Sequence, residues 1–306
     1  MSSTFYSPLR YPGGKGAFAK FLAQVIVRNP EVHYYAEPYA GGAASALALL
    51  SNGYVKEIYL NDKDIFIYSF WKAMKMKPDE LISRVQETPV TIDEWYKHKE
   101  FYNNPSRLKT ATVLDIGFCT FFLNRCNRSG ILNAGPIGGK QQNGKWKIDA
   151  RFNKQNLVQR LMEIKKLRKS IHISSVDAID FMCCFFQKYK GISHKQILFY
   201  LDPPYYLKGK VLYKDNYYID EDHIALSIYL NTFSEKWLLS YDDTKFIRKL
   251  YSNNSRKRTK RVNKVNGAYY PKIGKEMIIG SKNCKLPRNR IKLTRKQLKN
   301  MNREEM

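Results

Sequence analysis

The stretch His33-Tyr34-Tyr35-Ala36-Glu37-Pro38-Tyr39-Ala40-Gly41-Gly42-Ala43-Ala44 decides how the rest of the chain is read. Residues 32–36 predict a short buried strand, 37–42 a turn, and the Ala- and Leu-rich run through Leu50 a helix. A second strand follows at 57–60 and ends on Asn61-Asp62. Strand, glycine turn, helix, strand and acid together form the opening of a doubly wound nucleotide-binding sheet. Small residues after a strand let backbone approach a cofactor, and the helix behind them offers free N–H groups. A lone Gly-Gly turn is more often structural than functional. Asp62, however, stands where an acid accepts hydrogen bonds from ribose hydroxyls, so the pair points to an adenosine-type cofactor. NAD would call for G-x-G-x-x-G, which is absent.

Working outward, Phe18, Phe21, Leu22, Val25 and Ile26 recur at helical spacing within 15–27. Residues 65–124 continue as helix. The segment 124–151 breaks that pattern with Gly130, Gly135, Pro136, Gly138, Gly139 and Gly144 and predicts hairpins and loops, an inserted module. Helix and strand then alternate: helix 153–169, strand 171–174, helix 178–189, strand 196–201, helix 221–233 and strand 237–240. A charge run, Arg256-Lys257-Arg258-Thr259-Lys260-Arg261, precedes a last short strand at 276–279 and a polar end. The expected fold is α/β, a Rossmann-like doubly wound sheet with an inserted helical and hairpin domain.

Composition narrows the partners. Fifty-three Lys and Arg against 27 Asp and Glu leave a formal charge of +26. Solubility needs a net charge of only about 2–8 in a small domain, so the excess favours a polyanion. Nucleic acid suits it better than a membrane surface, because no long basic amphipathic helix stands out. No apolar run reaches the ~18 residues of a membrane span, and residues 1–10 lack the apolar core of a secretory signal. The five cysteines, Cys119, Cys126, Cys183, Cys184 and Cys284, have no zinc-ligand spacing and read as reduced, mostly buried apolar side chains. No H-E-x-x-H pattern occurs, so no metal site is expected.

The sharpest chemical signal is Leu201-Asp202-Pro203-Pro204-Tyr205, directly after an apolar strand. Ligands of such sheets bind at the carboxyl ends of strands. The residue types suit a conjugated amine, a poor nucleophile until both N–H bonds are held and its lone pair is aimed. Asp202 supplies one acceptor and the Pro203 carbonyl the other. The two prolines fix φ and restrict the residues before them, so the acceptors are preorganised. Tyr205 suits stacking on a base rotated out of a duplex. The plain alternative is a Pro-Pro turn with an incidental acid. Arg10-Tyr11-Pro12-Gly13-Gly14-Lys15-Gly16 invites a P-loop reading, but no Ser or Thr follows Lys15. Lys15 suits a small carboxylate such as a methionine moiety, and a helix-capping turn is the equal alternative.

These three segments, in this order, resemble the Dam-like DNA adenine N6-methyltransferases. That family's Y/W-x-G-G-K, E-P-F-x-G-x-G and D-P-P-Y motifs match Tyr11 to Lys15, Glu37 to Ala43 and Asp202 to Tyr205. The likeness extends to Phe122-Leu123-Asn124-Arg125, Asn127-Arg128-Ser129-Gly130, Arg151-Phe152-Asn153-Lys154, Asp220-Glu221-Asp222-His223, Leu238-Leu239-Ser240-Tyr241-Asp242-Asp243-Thr244 and Glu276-Met277-Ile278-Ile279. It covers nearly the whole chain to about Ser281.

The resemblance implies S-adenosylmethionine as cofactor and double-stranded DNA as partner. It places Tyr11, Lys15, Glu37, Ala40, Gly41, Asp62, Asp177 and Asp202 at the cofactor, and Asp202, Pro203, Pro204 and Tyr205 at the target base. It further implies a cytoplasmic protein of bacterial or phage origin, with a cognate restriction endonuclease as a possible companion. Residues 1–70 and 166–283 would form the catalytic domain, 71–165 the target-recognition domain, and 284–306 a basic tail. Arg125, Arg128, Asn133, Lys140, Gln141, Gln142 and Lys145 include the types that read base edges, although a basic solvated loop is the plain alternative for each. Arg256 and Arg258 suit phosphates instead. Two departures stand out. Tyr39 replaces the usual Phe, and Ala43 replaces the last loop glycine, so that position is expected to avoid positive φ. His223 reads as a helix residue rather than an acid–base catalyst. The same tetrapeptide chemistry would also serve cytosine N4, RNA adenine or a protein amide, and a relative that binds DNA without catalysis is the rival of another class. Pro78-Asp79-Glu80 lacks a spaced Glu-x-Lys partner and reads as a helix start, not a nuclease site.

Overall fold

The computed structural model describes residues 7–10, 18–206, 218–252, 257–266 and 272–287, with backbone alone for 257–266 and 272–276. Its centre is a seven-stranded sheet in the order β3-β2-β1-β4-β5-β7-β6. The strands are β1 Tyr34–Glu37, β2 Glu57–Asn61, β3 Ile171–Ser174, β4 Ile197–Leu201, β5 Lys236–Asp242, β6 Lys257–Asn266 and β7 Lys272–Ser281. β1 to β5 run parallel, while β7 is antiparallel to both β5 and β6. Every residue of Ile197–Leu201 is buried, as a parallel strand covered on both faces requires.

Side-chain alternation sends successive residues to opposite cores. Tyr35, Ile58, Leu60, Leu198, Tyr200, Leu238 and Ile278 face one core. Helix α1 Ala19–Arg28 precedes β1, and α2 Ala44–Ser51, α3 Ile65–Met76, α4 Pro78–Glu87, α5 Ile92–Asn103, α6 Pro105–Thr110, α7 Val113–Cys126 and α8 Lys154–Leu167 lie between the first three strands in sequence. All but α6 give buried apolar side chains to that same core. Ala36, Tyr59, Phe199, Leu201, Trp237, Leu239 and Tyr241 face the other. That layer is closed by α9 Ala178–Cys183, α10 Phe185–Lys188, α11 Asp220–Thr232 and α12 Lys245–Leu250. The inserted helices are therefore continuous with the sheet's packing. At the α3–α7 crossing a Cβ on Gly117 would lie 2.7 Å from the Ser69 carbonyl oxygen, so only glycine allows the approach.

Two expectations need correction. Residues 124–151 form 3-10 turns at Arg128–Gly130 and Ile148–Arg151 with one isolated bridge between Asn127 and Pro136, not hairpins. Side-chain amides hold this loop where a ladder was expected. The charge run after Arg256 enters β6, which pairs with β7 over ten residue pairs, so the last strand is also longer than expected. Of the cysteines, Cys119, Cys126 and Cys284 are buried, but Cys183 and Cys184 are exposed. Pro78-Asp79-Glu80 starts α4, with both acids in its first turn. Among the described residues no helix is long and apolar enough to cross a membrane.

Candidate active site

Between β1 and β4 the strand order reverses, β2 and β3 lying to one side and β5 to the other. That reversal opens a crevice at the carboxyl ends of the strands. An acid stands at or just past the end of each parallel strand: Glu37, Asp62, Asp177, Asp202 and Asp242.

The turn after β1 is fixed by its neighbour. Gly41 N–H donates to Asp62 Oδ2 at 2.8 Å, Ala40 N–H donates to the Asn61 carbonyl at 2.9 Å, and Trp71 Nε1–H donates to the Gly41 carbonyl at 2.8 Å. Gly41 has φ +46°, and Ala43 the same φ. Ala43 was expected to avoid that region; instead it is the left-handed residue before α2, and its Cβ is accepted there at a cost of about 1–2 kcal/mol. Asp62 also accepts the Asp64 N–H at 3.0 Å. Burial pushes the Asp62 carboxyl up to about 7, with Asp64 adding repulsion against these two bonds.

Glu37 is 4 % exposed. Tyr35 Oη–H donates to its Oε1 at 2.9 Å, and the Ala46 N–H in the first turn of α2 bonds to its carboxyl. Burial outweighs both bonds, and with repulsion from Asp202 it pushes the carboxyl up to about 8. Tyr39, whose hydroxyl the family's usual Phe lacks, shares a hydrogen bond with the Tyr218 hydroxyl. Asp177 caps α9 through the Ile179 N–H at 2.9 Å and pairs with exposed Lys63 at 3.4 Å, a contact worth little in water.

Pro203 and Pro204 are buried, while Asp202 and Tyr205 are partly open. Ser240 Oγ–H on β5 donates to Asp202 Oδ1 at 2.8 Å, and Tyr200 Oη lies 3.0 Å from Ser240 Oγ. Immediately downstream, the Tyr206 N–H donates to Asp242 Oδ1 at 3.1 Å, and the Tyr206 ring stacks on Phe246 at 4.5 Å. The tetrapeptide is thus moored to β5 on both sides. His223, on α11, is buried, with Nδ1 2.7 Å from the Tyr241 hydroxyl and its pKa lowered by burial. It is packed as a structural residue among rings of Tyr206, Tyr218 and Tyr241. Tyr11, Lys15 and Arg256 lie outside the described residues, and of Arg258 only the backbone, paired with Gly280, is described.

Sequence reasoning assigned no role to three carboxamides. Asn61 is wholly buried, donates to the Pro38 and Val176 carbonyls at 3.0 and 2.9 Å, and accepts the Val176 N–H at 3.1 Å. It ties together the turns that follow β1, β2 and β3. Asn124 accepts the Arg10 N–H at 2.6 Å and donates to the Arg10 and Gly130 carbonyls at 2.7 and 2.8 Å. Asn127 accepts Trp95 Nε1–H at 2.6 Å and donates to the Ile131 and Leu132 carbonyls. Gly130, at φ +77°, passes so close that a Cβ would sit 2.3 Å from the Arg10 carbonyl oxygen. The available signal was an Asn at the end of a strand or helix, where a short amide competes well for backbone groups.

In the insert, Arg125 donates to the Arg151 and Pro8 carbonyls, and burial lowers its pKa without discharging it at neutral pH. It braces the loop. Gln142, at φ +52°, donates to the Ile137 and Gly139 carbonyls and accepts the Ile148 N–H, which makes it a staple of the same loop. Arg128, Asn133, Lys140, Gln141 and Lys145 are exposed, Asn133 Oδ1 taking a bond from Lys99 at 3.3 Å.

A family model, D12 class N6 adenine-specific DNA methyltransferase, matches residues 11–265. Type II methyltransferase M.MjaIII of Methanocaldococcus jannaschii is 25 % identical over 244 residues, 72 % of this chain and 77 % of that protein. Two solved structures of the rRNA methyltransferase aviRa from Streptomyces viridochromogenes align over 93 % of this chain and 91 % of theirs, at 12 % identity and TM-scores of 0.41 and 0.42.

Proposed function

The chain belongs to the D12 class N6 adenine-specific DNA methyltransferase family, and from that premise we propose that its residues 202–205 hold a flipped adenine beside S-adenosylmethionine. Its reaction is methylation of adenine N6 in DNA. The observation that carries the site assignment is the mooring of Asp202 on Ser240, with two buried prolines behind it and the acid-lined β1–α2 turn on the neighbouring strand.

The turn fits a nucleoside cofactor. Asp62 offers a carboxylate to ribose hydroxyls, the left-handed Gly41 and Ala43 bring backbone close, and α2 begins without a side-chain cap from Ala43. Tyr11, Lys15, Ala40 and Asp177 complete the proposed cofactor set, with Lys15 toward the methionine carboxylate. Glu37 acts from behind the turn by bonding the first turn of α2. Bound there, S-adenosylmethionine supplies the electrophile, a sulfonium methyl group. Asp202 accepts one N6–H and the Pro203 carbonyl the other, which aims the amine lone pair in line with the donor. Tyr205 stacks on the base. Asp202 orients rather than fully deprotonates, because the amine sheds its proton readily only once methylated.

Exposed Arg128, Asn133, Lys140 and Lys145 are the proposed base-edge and groove contacts, with Arg125 bracing the loop that carries them. Arg256 and Arg258 are proposed at phosphates, and residues 71–165 as the recognition unit. The Type II name of the Methanocaldococcus jannaschii relative supports a place beside a restriction endonuclease. Asp202→Ala is expected to abolish methylation while duplex binding survives, and digestion with mass spectrometry is expected to find N6-methyladenine. Wild-type turnover by that variant removes Asp202 from the mechanism. N4-methylcytosine in the digest would reassign the substrate.

A further inference from the structure

Resting on the assignment of Asp202 to the target amine, we infer that Ser240 and Tyr200 are positioning residues, a buried hydroxyl chain that fixes the rotation of the Asp202 carboxylate. The geometry follows from the strands. β4 and β5 pair in parallel with Tyr200 beside Leu238 and Leu201 beside Leu239. Side chains two residues apart share a face, so Tyr200 on β4 and Asp202 just past its end project the same way as Leu238 and Ser240 on β5. Continuing that register by two residues sets Ser240 beside Asp202.

The direction of the chain is settled by proton counting. Asp202 Oδ1 is the acceptor of the 2.8 Å contact, so Ser240 donates its one proton there. The 3.0 Å contact then requires Tyr200 Oη–H to donate to Ser240 Oγ. Ser240 is 0 % and Tyr200 2 % exposed, so the bond between them forms away from water, where it is stronger and polarises the part-buried bond that Ser240 makes to Asp202. Tyr200 is itself wedged, its ring 6.4 Å from and nearly parallel to that of Tyr35 and 5.6 Å from that of Phe18. A chain anchored in the core at its phenol end and bonded to Oδ1 at the other restrains rotation of the carboxylate. The Pro-Pro corner fixes the backbone of the acceptor pair, and the hydroxyl chain fixes the side chain.

The test uses the full-length enzyme and duplexes carrying its recognition word, mapped by sequencing methylated DNA. Ser240→Ala and Tyr200→Phe each delete one hydroxyl. Single-turnover methyl transfer is expected to fall about 10–100-fold in Ser240→Ala and about 3–10-fold in Tyr200→Phe. The double variant is expected to be no slower than Ser240→Ala within about twofold, because the residues act through one bond to one oxygen. A readout without cofactor compares duplexes bearing adenine or purine, which lacks the N6 amine, at the target position. Any preference of the wild type for adenine is expected to shrink at least about threefold in Ser240→Ala, with affinity for the purine duplex unchanged. A wild-type rate in either single variant, or multiplicative losses in the double, overturns the inference. If Ser240→Ala does not fold, Tyr200→Phe decides alone: a slowed rate supports the hydroxyl chain and an unchanged rate overturns it. An active Asp202→Ala enzyme would instead remove the assignment on which this inference rests, so the two failures are distinguishable.

Discussion

Glu37→Gln removes an ionisable group from beneath the turn between β1 and α2 while keeping its shape. Glu37 is 4 % exposed, and burial holds its proton up to about 8, against an ordinary 4.5. Between those values the folded chain keeps a proton that the unfolded chain has released. The stabilisation is therefore fully present below about pH 4.5, declines by about 1.36 kcal/mol per pH unit, and is gone above about pH 8. The ceiling over that interval is about 5 kcal/mol. Relaxation around the ionised carboxylate reduces it, and about 2–3 kcal/mol is expected. Gln is uncharged throughout and shows no such decline. Urea unfolding of wild type and Glu37→Gln without cofactor, near pH 5 and near pH 9, is the assay. The variant is expected to gain on the wild type by about 2–3 kcal/mol as pH rises between those points. Parallel pH profiles would show that the carboxyl is ionised in the fold at neutral pH and refute the reasoning.

Ala43 gives a second expectation. At φ +46° and 2 % exposure, Ala43→Gly trades about 1–2 kcal/mol of left-handed strain for chain flexibility and lands near neutral, whereas Ala43→Val costs more than about 2 kcal/mol. Wild-type stability of the Val variant in chemical unfolding would contradict this. The Asp62 carboxyl, pushed up to about 7 by burial and Asp64, accepts ribose hydroxyls more strongly when ionised. Affinity for S-adenosylmethionine is therefore expected to rise as pH increases through about 7 and to fall below it, and Asp62→Asn to flatten the change. Equal wild-type dissociation constants by calorimetry near pH 6 and near pH 8 would dismiss Asp62 as the ribose acceptor.

Much of this molecule is written locally. The parallel strands are short apolar runs, and their turns and acids follow them directly in sequence, so periodicity and residue type were enough to find β1 to β5 and the Glu37, Asp62 and Asp202 positions. Helix starts such as Pro78-Asp79-Glu80 are equally local, since capping depends on residues a few positions apart. β6 escaped because an edge strand of Lys, Arg, Thr and Asn with only Val262 and Val265 gains its structure from pairing with β7, not from its own apolar pattern. The expected hairpins of 124–151 failed for a related reason: Asn124, Asn127 and Gln142 satisfy backbone groups there and displace a ladder.

Contacts across long sequence separations belong to the tertiary structure alone. Ser240 reaches Asp202 across 38 residues, and Asn124 reaches Arg10 across 114. Which polar atoms meet in a core depends on strand register and on which helix covers them, and no local pattern encodes either. The sequence by itself therefore named the chemistry, a Pro-Pro acid beside a glycine turn. Burial and register determined how that acid is held, which cations brace the loop instead of facing outward, and that Ala43 takes a backbone conformation suited to glycine.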